Sequence, residues 1–343
     1  MGVVARQPWT EHFAKIAAAK GLDTLFASRR WLAALADTYG FAVQASTLTV
    51  DGRVVAAIPY CDIDDIGGRR IVSLPFSDYV DPFVQSAAEW NALTAPLLAY
   101  NLPIRFRCLR NQIPAADARF QRLTHAVWHC TDLARSEAEI ANCIAASARQ
   151  NIRRAESAGV KVRTGATLDD LRIFYAMHCH VRKAKYGLFA QPFSFFESLH
   201  AQFAPGDLTV LLAELDGRAI AGILFLIHGD TLYYKFNAST DLAHRPNDLL
   251  VWHGIMLGQR RRLARLDFGI SDLDQPGLVR FKRKFASKEM AVTELRWRPE
   301  GPIDVRGAQG QETLRRLTRI LTAPHVPEDV SRAVGDEVYR YFG

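Results

Sequence analysis

The sequence lacks the features that mark a membrane-spanning or disulfide-rich protein. No run of about 18 apolar residues occurs, so no segment is predicted to cross a bilayer as a helix. Its five cysteines are odd in number, scattered and never paired as C-x-x-C, which argues against a disulfide framework. The N-terminal segment also lacks the basic, apolar and small-residue pattern of a secretory signal. These absences predict a cytoplasmic protein, with peripheral association with a membrane left open.

The composition is that of a large globular protein with a basic excess. Of its residues, 49% are hydrophobic and 23% are charged. A chain of 343 residues exceeds the single-core limit of about 250–300 residues, so two domains are expected. The 43 basic residues against 36 acidic ones give a net charge of +7. This excess favours an anionic partner such as RNA, a nucleotide, a phosphorylated lipid or a membrane surface.

Two stretches of the chain are nearly alike. DGRVVAAIPY at 51–60 and DGRAIAGILF at 216–225 share five of ten residues, at an offset of 165 positions. Asp-Gly between two apolar runs predicts a β-hairpin. At the same offset, the predicted strand 70–74 overlies 235–239. Each half therefore has the same predicted order of helix, hairpin, further strand, polar loop and helix, which indicates two tandem copies of one α+β domain.

Local signals set the predicted boundaries. Capping boxes, in which Ser or Thr precedes an acidic residue by three positions, are predicted at Ser136, Thr167 and Ser194. Gly- and Pro-rich sequence follows Trp297. We therefore predict a first domain over 1–133, a second over 134–299 that includes a linking helix, and a helical tail over 300–343. Pro59 is expected to disturb strand pairing in the first copy.

Several motifs occur in the order typical of one enzyme family. They are SLPFSDYVDP at 73–82, SARQNIRRAESAGV at 147–160, YYKFNAS at 233–239, the segment 249–271 and GLVRFKRKF at 277–285. Together they resemble the FemAB-like, peptidoglycan-bridge type aminoacyl/acyl transferases. The resemblance implies an α+β fold of two tandem GNAT-like domains, each a mixed, mostly antiparallel sheet flanked by helices. It also implies transfer of an acyl or aminoacyl group to an amine, in cell-envelope or exopolysaccharide assembly.

The donor stays open between acyl-CoA and aminoacyl-tRNA. The phosphate loop of acetyl-CoA enzymes, R/Q-x-x-G-x-G/A, is replaced by Arg245-Pro246-Asn247-Asp248, and the helical arm of many tRNA-dependent members is not evident. Arg245, Asn247 and Asp248 are the predicted donor-binding residues, although Asn or Asp before a helix is also an ordinary N-cap. Amine acylation needs no metal, and neither a metal nor a tightly bound cofactor is predicted.

Three residues are predicted to be catalytic. Asp78 would orient the acceptor amine or accept its proton, and Tyr79 would donate to the oxyanion, unless the pair serves only as a turn and as packing. Lys282 matches the Phe-Lys pair typical of the family, and the alternative is the edge of an amphipathic element.

The predicted substrate-binding residues are arginines on one helix, a lysine, and a tyrosine and an asparagine on one strand. The arginines could instead form a solvated helix face, and the tyrosine, Tyr233, could instead belong to the hydrophobic core. Because strand residues alternate, Tyr233 and Asn237 are expected to share one face and Tyr234 to take the other. The full set is Arg149, Arg153, Arg154, Tyr233, Asn237 and Lys284.

The leading hypothesis is an N-acyl or aminoacyl transferase with its acceptor in a cleft between the domains. The acceptor would be anionic, a nucleotide- or lipid-linked sugar or peptide, with tRNA as a further partner; the oligomeric state is undetermined. The alternatives are an acyl-CoA N-acetyltransferase acting on an amino sugar or amine, a catalytically silent double-GNAT scaffold, and a nucleic-acid-binding protein.

Overall fold

The protein contains twelve strands and eleven α-helices among the residues that the structure, a computed structural model, describes: 2–300 and 304–343, apart from the side chains of 11 and 12. The strands are β1 Val3–Pro8, β2 Val43–Val50, β3 Arg53–Ile63, β4 Arg70–Val72, β5 Ile104–Cys108, β6 Gln121–Asp132, β7 Lys161–Gly165, β8 Leu208–Leu215, β9 Arg218–His228, β10 Thr231–Ser239, β11 Arg265–Asp272 and β12 Lys288–Trp297. The helices are α1 Glu11–Ala19, α2 Arg29–Tyr39, α3 Ala87–Ala99, α4 Glu137–Cys143, α5 Ala146–Ser157, α6 Leu168–Tyr186, α7 Phe193–Gln202, α8 Pro246–Arg260, α9 Pro276–Arg283, α10 Val305–Leu321 and α11 Glu328–Val338.

The N-terminal unit comprises Met1–Ala126, Ala291–Arg316 and Arg340–Gly343. Its strands follow the order β1-β2-β3-β4-β5-β12. Only β4 and β5 run parallel in this set; the other recorded pairs are antiparallel. The core lies between this sheet and α3, where Trp90 packs edge-on against Phe106 with ring centroids 5.8 Å apart.

The C-terminal unit comprises Val127–Met290 and Leu317–Tyr339. Its strands β11-β10-β9-β8-β7 are antiparallel except for the β10–β11 pair. Helices cover both faces, because β9 presents Phe225 to Gly254 of α8 on one side and Gly222 to Phe174 of α6 on the other. Both units are thus α+β, as predicted.

The two hairpins confirm the internal duplication residue by residue. Strands β2 and β3 lie 165 positions before β8 and β9 at both of their ends. Asp51-Gly52 and Asp216-Gly217 all have positive φ, the conformation of a type I′ turn. Even the irregularity recurs, since the register shifts between Leu48 and Thr49 and again 165 positions later.

The fixed offset ends at the next strand, so the overlay of 70–74 on 235–239 is wrong. Ile63 pairs with Arg70, whereas its counterpart His228 pairs with Thr231, only 161 positions after Arg70. The connection before β4 is therefore longer by four residues. In addition, β4 ends at Val72, while β10 continues to Ser239.

Pro59 lies in a continuous strand, so the expected disturbance is absent. It pairs with Ala45 of β2, while β4 pairs with β3 only from Cys61 onward. Proline is tolerated here because β4 does not require an N–H donor from it.

Two of the predicted capping boxes are confirmed. Ser136 begins α4 and Thr167 begins α6 with both reciprocal hydrogen bonds in place. Ser194 is not a cap, because α7 begins one residue earlier, after Pro192. The compact units also differ from the predicted domains: most of β12 and α10 belong to the N-terminal unit, and α11 to the C-terminal one. Residues 301–303 of the Gly- and Pro-rich segment lie outside the described residues.

Candidate active site

A pocket of about 480 Å³ lies in the C-terminal unit where β10 stops pairing with β11. Among the described residues, that parallel ladder covers only three pairs and ends at Tyr233 with Asp267. Beyond this point β10 continues for six residues, to Ser239, with an edge toward the pocket. The pocket is lined by Lys185, Tyr186, Tyr234, Asn237, Asn247, Gln275, Gly277, Leu278 and Phe281.

A β-bulge decides which side chains of β10 reach the pocket. Tyr234 pairs with Phe225 and Phe236 with Leu224, so Lys235 is an extra residue in the ladder. A bulge of this kind breaks the alternation of a strand. As a result Tyr234 and Asn237 both line the pocket, and the expectation that Tyr233 shares the face of Asn237 is wrong. Tyr233 is 3% exposed and belongs to the core.

Asn237 connects the strand to the start of α8. Its Nδ2 donates to Oδ1 of Asn247 at 3.1 Å, which holds both amides at the pocket wall. Arg245 is the N-cap residue of α8, in the left-handed region with φ 56°, and its side chain is exposed. Of the three predicted donor-binding residues, Asn247 therefore lines the pocket.

Asp248 and Lys284 form an ion pair instead of facing separate ligands. Lys284 Nζ lies 2.9 Å from Oδ1 of Asp248, and only 7% of the Asp248 side chain is exposed. Asp248 lies in the first turn of α8, where a carboxylate interacts favourably with the helix dipole. The pair thus joins α9 to α8 and accounts structurally for two of the predicted ligand-binding residues.

The polar side chains of the described residues that line the pocket are hydrogen-bond donors, and no carboxylate or imidazole base is among them. None of the nine described residues that line it is Asp, Glu or His. Burial raises the pKa of Tyr234, and the nearby Tyr186 raises it further. The Tyr234 phenol is therefore protonated at neutral pH and able to donate its hydrogen.

Lys282 is buried beside the pocket and does not line it. Its side chain donates to the carbonyl of Ile270 at 2.7 Å, and the residue is 4% exposed. This hydrogen bond connects α9 to β11. The catalytic role stays a prediction, and the contact that the structure records is a structural one.

Arg149 has a structural contact of its own. Its Nη1 donates to the carbonyls of Ala141, Asn142 and Ile144, at the C-terminal end of α4. A guanidinium at this position satisfies carbonyls that lack helical partners. The substrate-binding role of Arg149 stays a prediction beside this structural contact, as do those of Arg153 and Arg154 of α5, which are exposed.

The two remaining predicted catalytic residues belong to the N-terminal unit. Asp78 is partly exposed in the loop after β4. Tyr79 is fully buried and packs edge-on against Phe26, with ring centroids 5.3 Å apart. Its environment is that of a core aromatic, the alternative that the sequence left open.

Sequence reasoning missed several residues of the pocket. Lys185 and Tyr186 end α6, and Gln275 precedes α9. No local pattern distinguishes them, because each reaches the pocket only through the packing of its helix. Tyr234 lies in YYKFNAS, which the sequence does identify as a strand of the site. Strict alternation along that strand points its side chain away from Asn237, and the bulge brings both side chains to the pocket.

Comparison with known proteins identifies the fold of this site. Residues 144–283 match the model of a family described as an acetyltransferase (GNAT) domain. No curated protein matches the sequence. The matched segment contains every residue that lines the pocket.

Solved structures extend the likeness to most of the chain. FemX is similar at 13% identity with a TM-score of 0.62, covering 92% of this chain and 100% of that one. A tandem GNAT protein from the clavulanic acid biosynthesis pathway has 14% identity and a TM-score of 0.56, over 88% and 100%. The C-terminal domain of a putative lysylphosphatidylglycerol synthetase from Agrobacterium fabrum has 15% identity and a TM-score of 0.56, over 89% and 96%. The chain thus has the tandem GNAT fold that was predicted.

Neither a metal-binding cluster nor a membrane-spanning helix is found among the described residues. No group of three or more His, Cys, Asp or Glu side chains there is arranged to hold a metal ion. Within the same residues, no helix combines the length and the apolar character needed to cross a membrane.

Proposed function

We propose that the protein is an N-acyl or aminoacyl transferase whose reaction takes place in the pocket beside β10. The observation that supports this most directly is the bulge at Lys235, through which Tyr234 and Asn237 both line the pocket, at the part of β10 beyond its ladder with β11. A strand edge left open in this way offers main-chain donors and acceptors to an extended substrate. The start of α8 beside it adds helix N–H groups.

The chemistry fits a pocket rich in neutral donors. A neutral amine attacks the carbonyl carbon of a thioester or ester; a C–N bond forms and negative charge develops on the carbonyl oxygen. Collapse breaks the C–S or C–O bond, and the proton lost by nitrogen ends on the leaving thiol or hydroxyl. The Tyr234 phenol, which is protonated at neutral pH and whose pKa is raised further by burial, would donate to the oxygen or to the leaving group.

Two acyl donors, acyl-CoA and aminoacyl-tRNA, suit this reaction, and the start of α8 favours one of them. Pro246 lacks an N–H, and Asp248 already occupies the first turn of α8, so this helix start is a weaker cradle for the diphosphate of CoA than a glycine-rich loop. This favours an aminoacyl ester, as on tRNA, over acyl-CoA. The acceptor would be an amine on a nucleotide- or lipid-linked sugar or peptide of the cell envelope or an exopolysaccharide.

The test compares two adjacent tyrosines. Purified protein is offered acetyl-CoA or aminoacyl-tRNA with amine acceptors, and transfer is followed by mass spectrometry. We expect Tyr234→Phe to lower kcat by about 100–1,000-fold, the effect of removing one oxyanion donor, with little change in stability. The control is Tyr233→Phe, whose ring lies in the core and not in the pocket.

Several outcomes would contradict the proposal. Equal loss of activity in both variants would mean that the phenol of Tyr234 has no special role. If neither donor class supports transfer to any amine and neither raises the Tm, the catalytically silent scaffold becomes the better description. Transfer from acetyl-CoA alone would support the proposed acyl transfer but contradict the preference for an aminoacyl ester over acyl-CoA.

A further inference from the structure

A second cavity, of about 530 Å³, lies wholly within the N-terminal unit and takes no part in the proposed reaction. The whole of β4, the start of β5 and the end of β12 form its floor, and α10 with residues 341–343 forms its walls. Its size is within the range typical of small-molecule sites. Its lining is mainly cationic and aromatic, with five arginines and three aromatic residues: Arg70, Arg105, Arg296, Arg298, Arg315, Trp297, Tyr341 and Phe342.

The described lining of this cavity contains no Asp or Glu side chain. The acceptor recorded within that lining for an arginine is the backbone oxygen of Gly343, to which Arg70 donates at 2.9 Å. Three of the arginines have carboxylate partners that lie outside the lining. Arg70 pairs with Asp65 at 2.7 Å, Arg296 pairs with Glu294, and Arg315 pairs with Glu312 at 3.2 Å. Glu294 is shared, because Arg107 also binds it at 3.3 Å. One carboxylate thus serves two guanidinium groups, which leaves a positive excess on this side of the sheet.

Arg105 is the centre of this excess. It stands directly opposite Arg296 in the β5–β12 register, whereas the neighbouring pair in the same ladder is the complementary Arg107 and Glu294. Like charges directly opposite each other destabilise a sheet. Among the described residues, no hydrogen bond or ion pair is recorded for the Arg105 guanidinium. Burial lowers the pKa of Arg105 and the nearby Arg107 lowers it further; Glu294 raises it in part, and Arg70 and Arg296 lower it again.

An anion bound in the cavity would stabilise the half-buried guanidinium of Arg105. A planar guanidinium binds phosphate oxygens in pairs and is weakly hydrated, so several converging arginines are well suited to a ligand with more than one phosphate. The aromatic side chains at the rim add flat surfaces on which a planar group can stack.

We propose that this cavity binds a small molecule that bears a diphosphate group. The two sources of this chemistry are free pyrophosphate and a nucleoside diphosphate, and they differ in whether the aromatic rim is used. The site is separate in sequence and in chemistry from the pocket beside β10, so its test does not depend on the proposed reaction.

Binding of pyrophosphate, ADP and orthophosphate to the full chain would be measured by calorimetry at about 50 mM salt, where phosphate contacts are weakly screened. We expect saturable binding of pyrophosphate, and weaker binding of orthophosphate. Arg105→Gln should weaken pyrophosphate binding by about 10–100-fold through loss of charge-assisted hydrogen bonds. Tighter binding of ADP than of pyrophosphate would identify a nucleotide as the source, and equal binding would identify the diphosphate alone.

The matched control is Arg122→Gln, an exposed arginine of the same unit that does not line the cavity. It should change the affinity by less than about twofold, since an exposed charge that does not contact the ligand is screened. The Tm of ligand-free Arg105→Gln should equal or exceed that of the wild type, because the repulsion with Arg296 is removed. Absence of saturable pyrophosphate binding, equal weakening by both variants, or a clearly lower ligand-free Tm for Arg105→Gln would each overturn the proposal.

Discussion

Asp170 shows how one carboxylate stabilises the start of a long helix. Its Oδ2 accepts hydrogen bonds from the backbone N–H of Ala166 and Thr167 and from the Thr167 hydroxyl, while Oδ1 accepts from Arg163. Burial alone would raise the pKa of Asp170, but the hydrogen bonds from Arg163 and Thr167 outweigh it and lower the pKa to about 2. The ionised form is therefore the one that stabilises the fold.

We expect Asp170→Asn to lower the free energy of unfolding by about 1–3 kcal/mol at neutral pH, from the loss of the cap and the ion pair. Because the folded pKa lies below the unfolded one, this stability is fully present above about pH 4 and is lost as the pH falls toward 2. Urea unfolding of both proteins as a function of pH measures the difference.

The control for this prediction is the neighbouring Asp169→Asn. Asp169 forms an exposed pair with Arg172, so the cost should stay below about 0.5 kcal/mol. Equal costs for the two variants, or a difference that persists unchanged at pH 2, would show that Asp170 is not acting through its charge.

At the scale of elements, α8 packs on β9 through a helical glycine. A Cβ at Gly254 would lie 2.5 Å from the ring of Phe225, and both residues lie in the core of the C-terminal unit. Gly254→Ala would gain about 1 kcal/mol of helix propensity. Overpacking in a dense core costs about 1–3 kcal/mol, so we expect a net loss of stability in urea unfolding.

Gly277→Ala in α9 provides the comparison, because nothing lies within 4 Å of the added Cβ. We expect its stability to be unchanged or slightly raised. If Gly254→Ala proves as stable as Gly277→Ala, the close approach of α8 to β9 is not required by the fold.

At the scale of the whole molecule, the chain leaves and re-enters the N-terminal unit. Strand β12 pairs with β5 over Thr293–Trp297, and Leu295 on it is fully buried. A fragment that ends at residue 133 therefore lacks a core strand and leaves the edge of β5 unpaired. We expect such a fragment to aggregate in size-exclusion chromatography and to lack a cooperative thermal transition.

Restoring the missing strand tests the cause. Joining residues 288–300 to the fragment through a Gly-Ser linker should raise its solubility, because β5 regains its partner. A monomeric, cooperatively folding fragment 1–133 would instead show that the predicted domain boundary marks an independent unit, contrary to the contacts of β12.

Local chemistry explains which predictions succeeded. Asp-Gly requires positive φ at two successive residues, so both hairpins follow from the sequence alone. The capping boxes at Ser136 and Thr167 likewise involve partners three residues apart. Tyr233 and Tyr234 were assigned to the wrong faces because a bulge arises from pairing with β9 and leaves no mark in the local alternation. The contacts of Arg149 and Lys284 could not be foreseen, because a cation on a helix has the same sequence pattern whether it meets a ligand, a carbonyl or a carboxylate.

The sequence by itself determined the duplication, the hairpins, the helix starts at Ser136 and Thr167 and the α+β class, since these depend on residues close together in the chain and on a repeat that can be read directly. Only the tertiary structure decided which side chains converge. The pocket beside β10 draws its lining from one strand and three helices, and the arginine-lined cavity gathers residues from 70 to 343. Such convergence results from long-range packing, in which a single inserted residue turns a side chain toward a site or away from it.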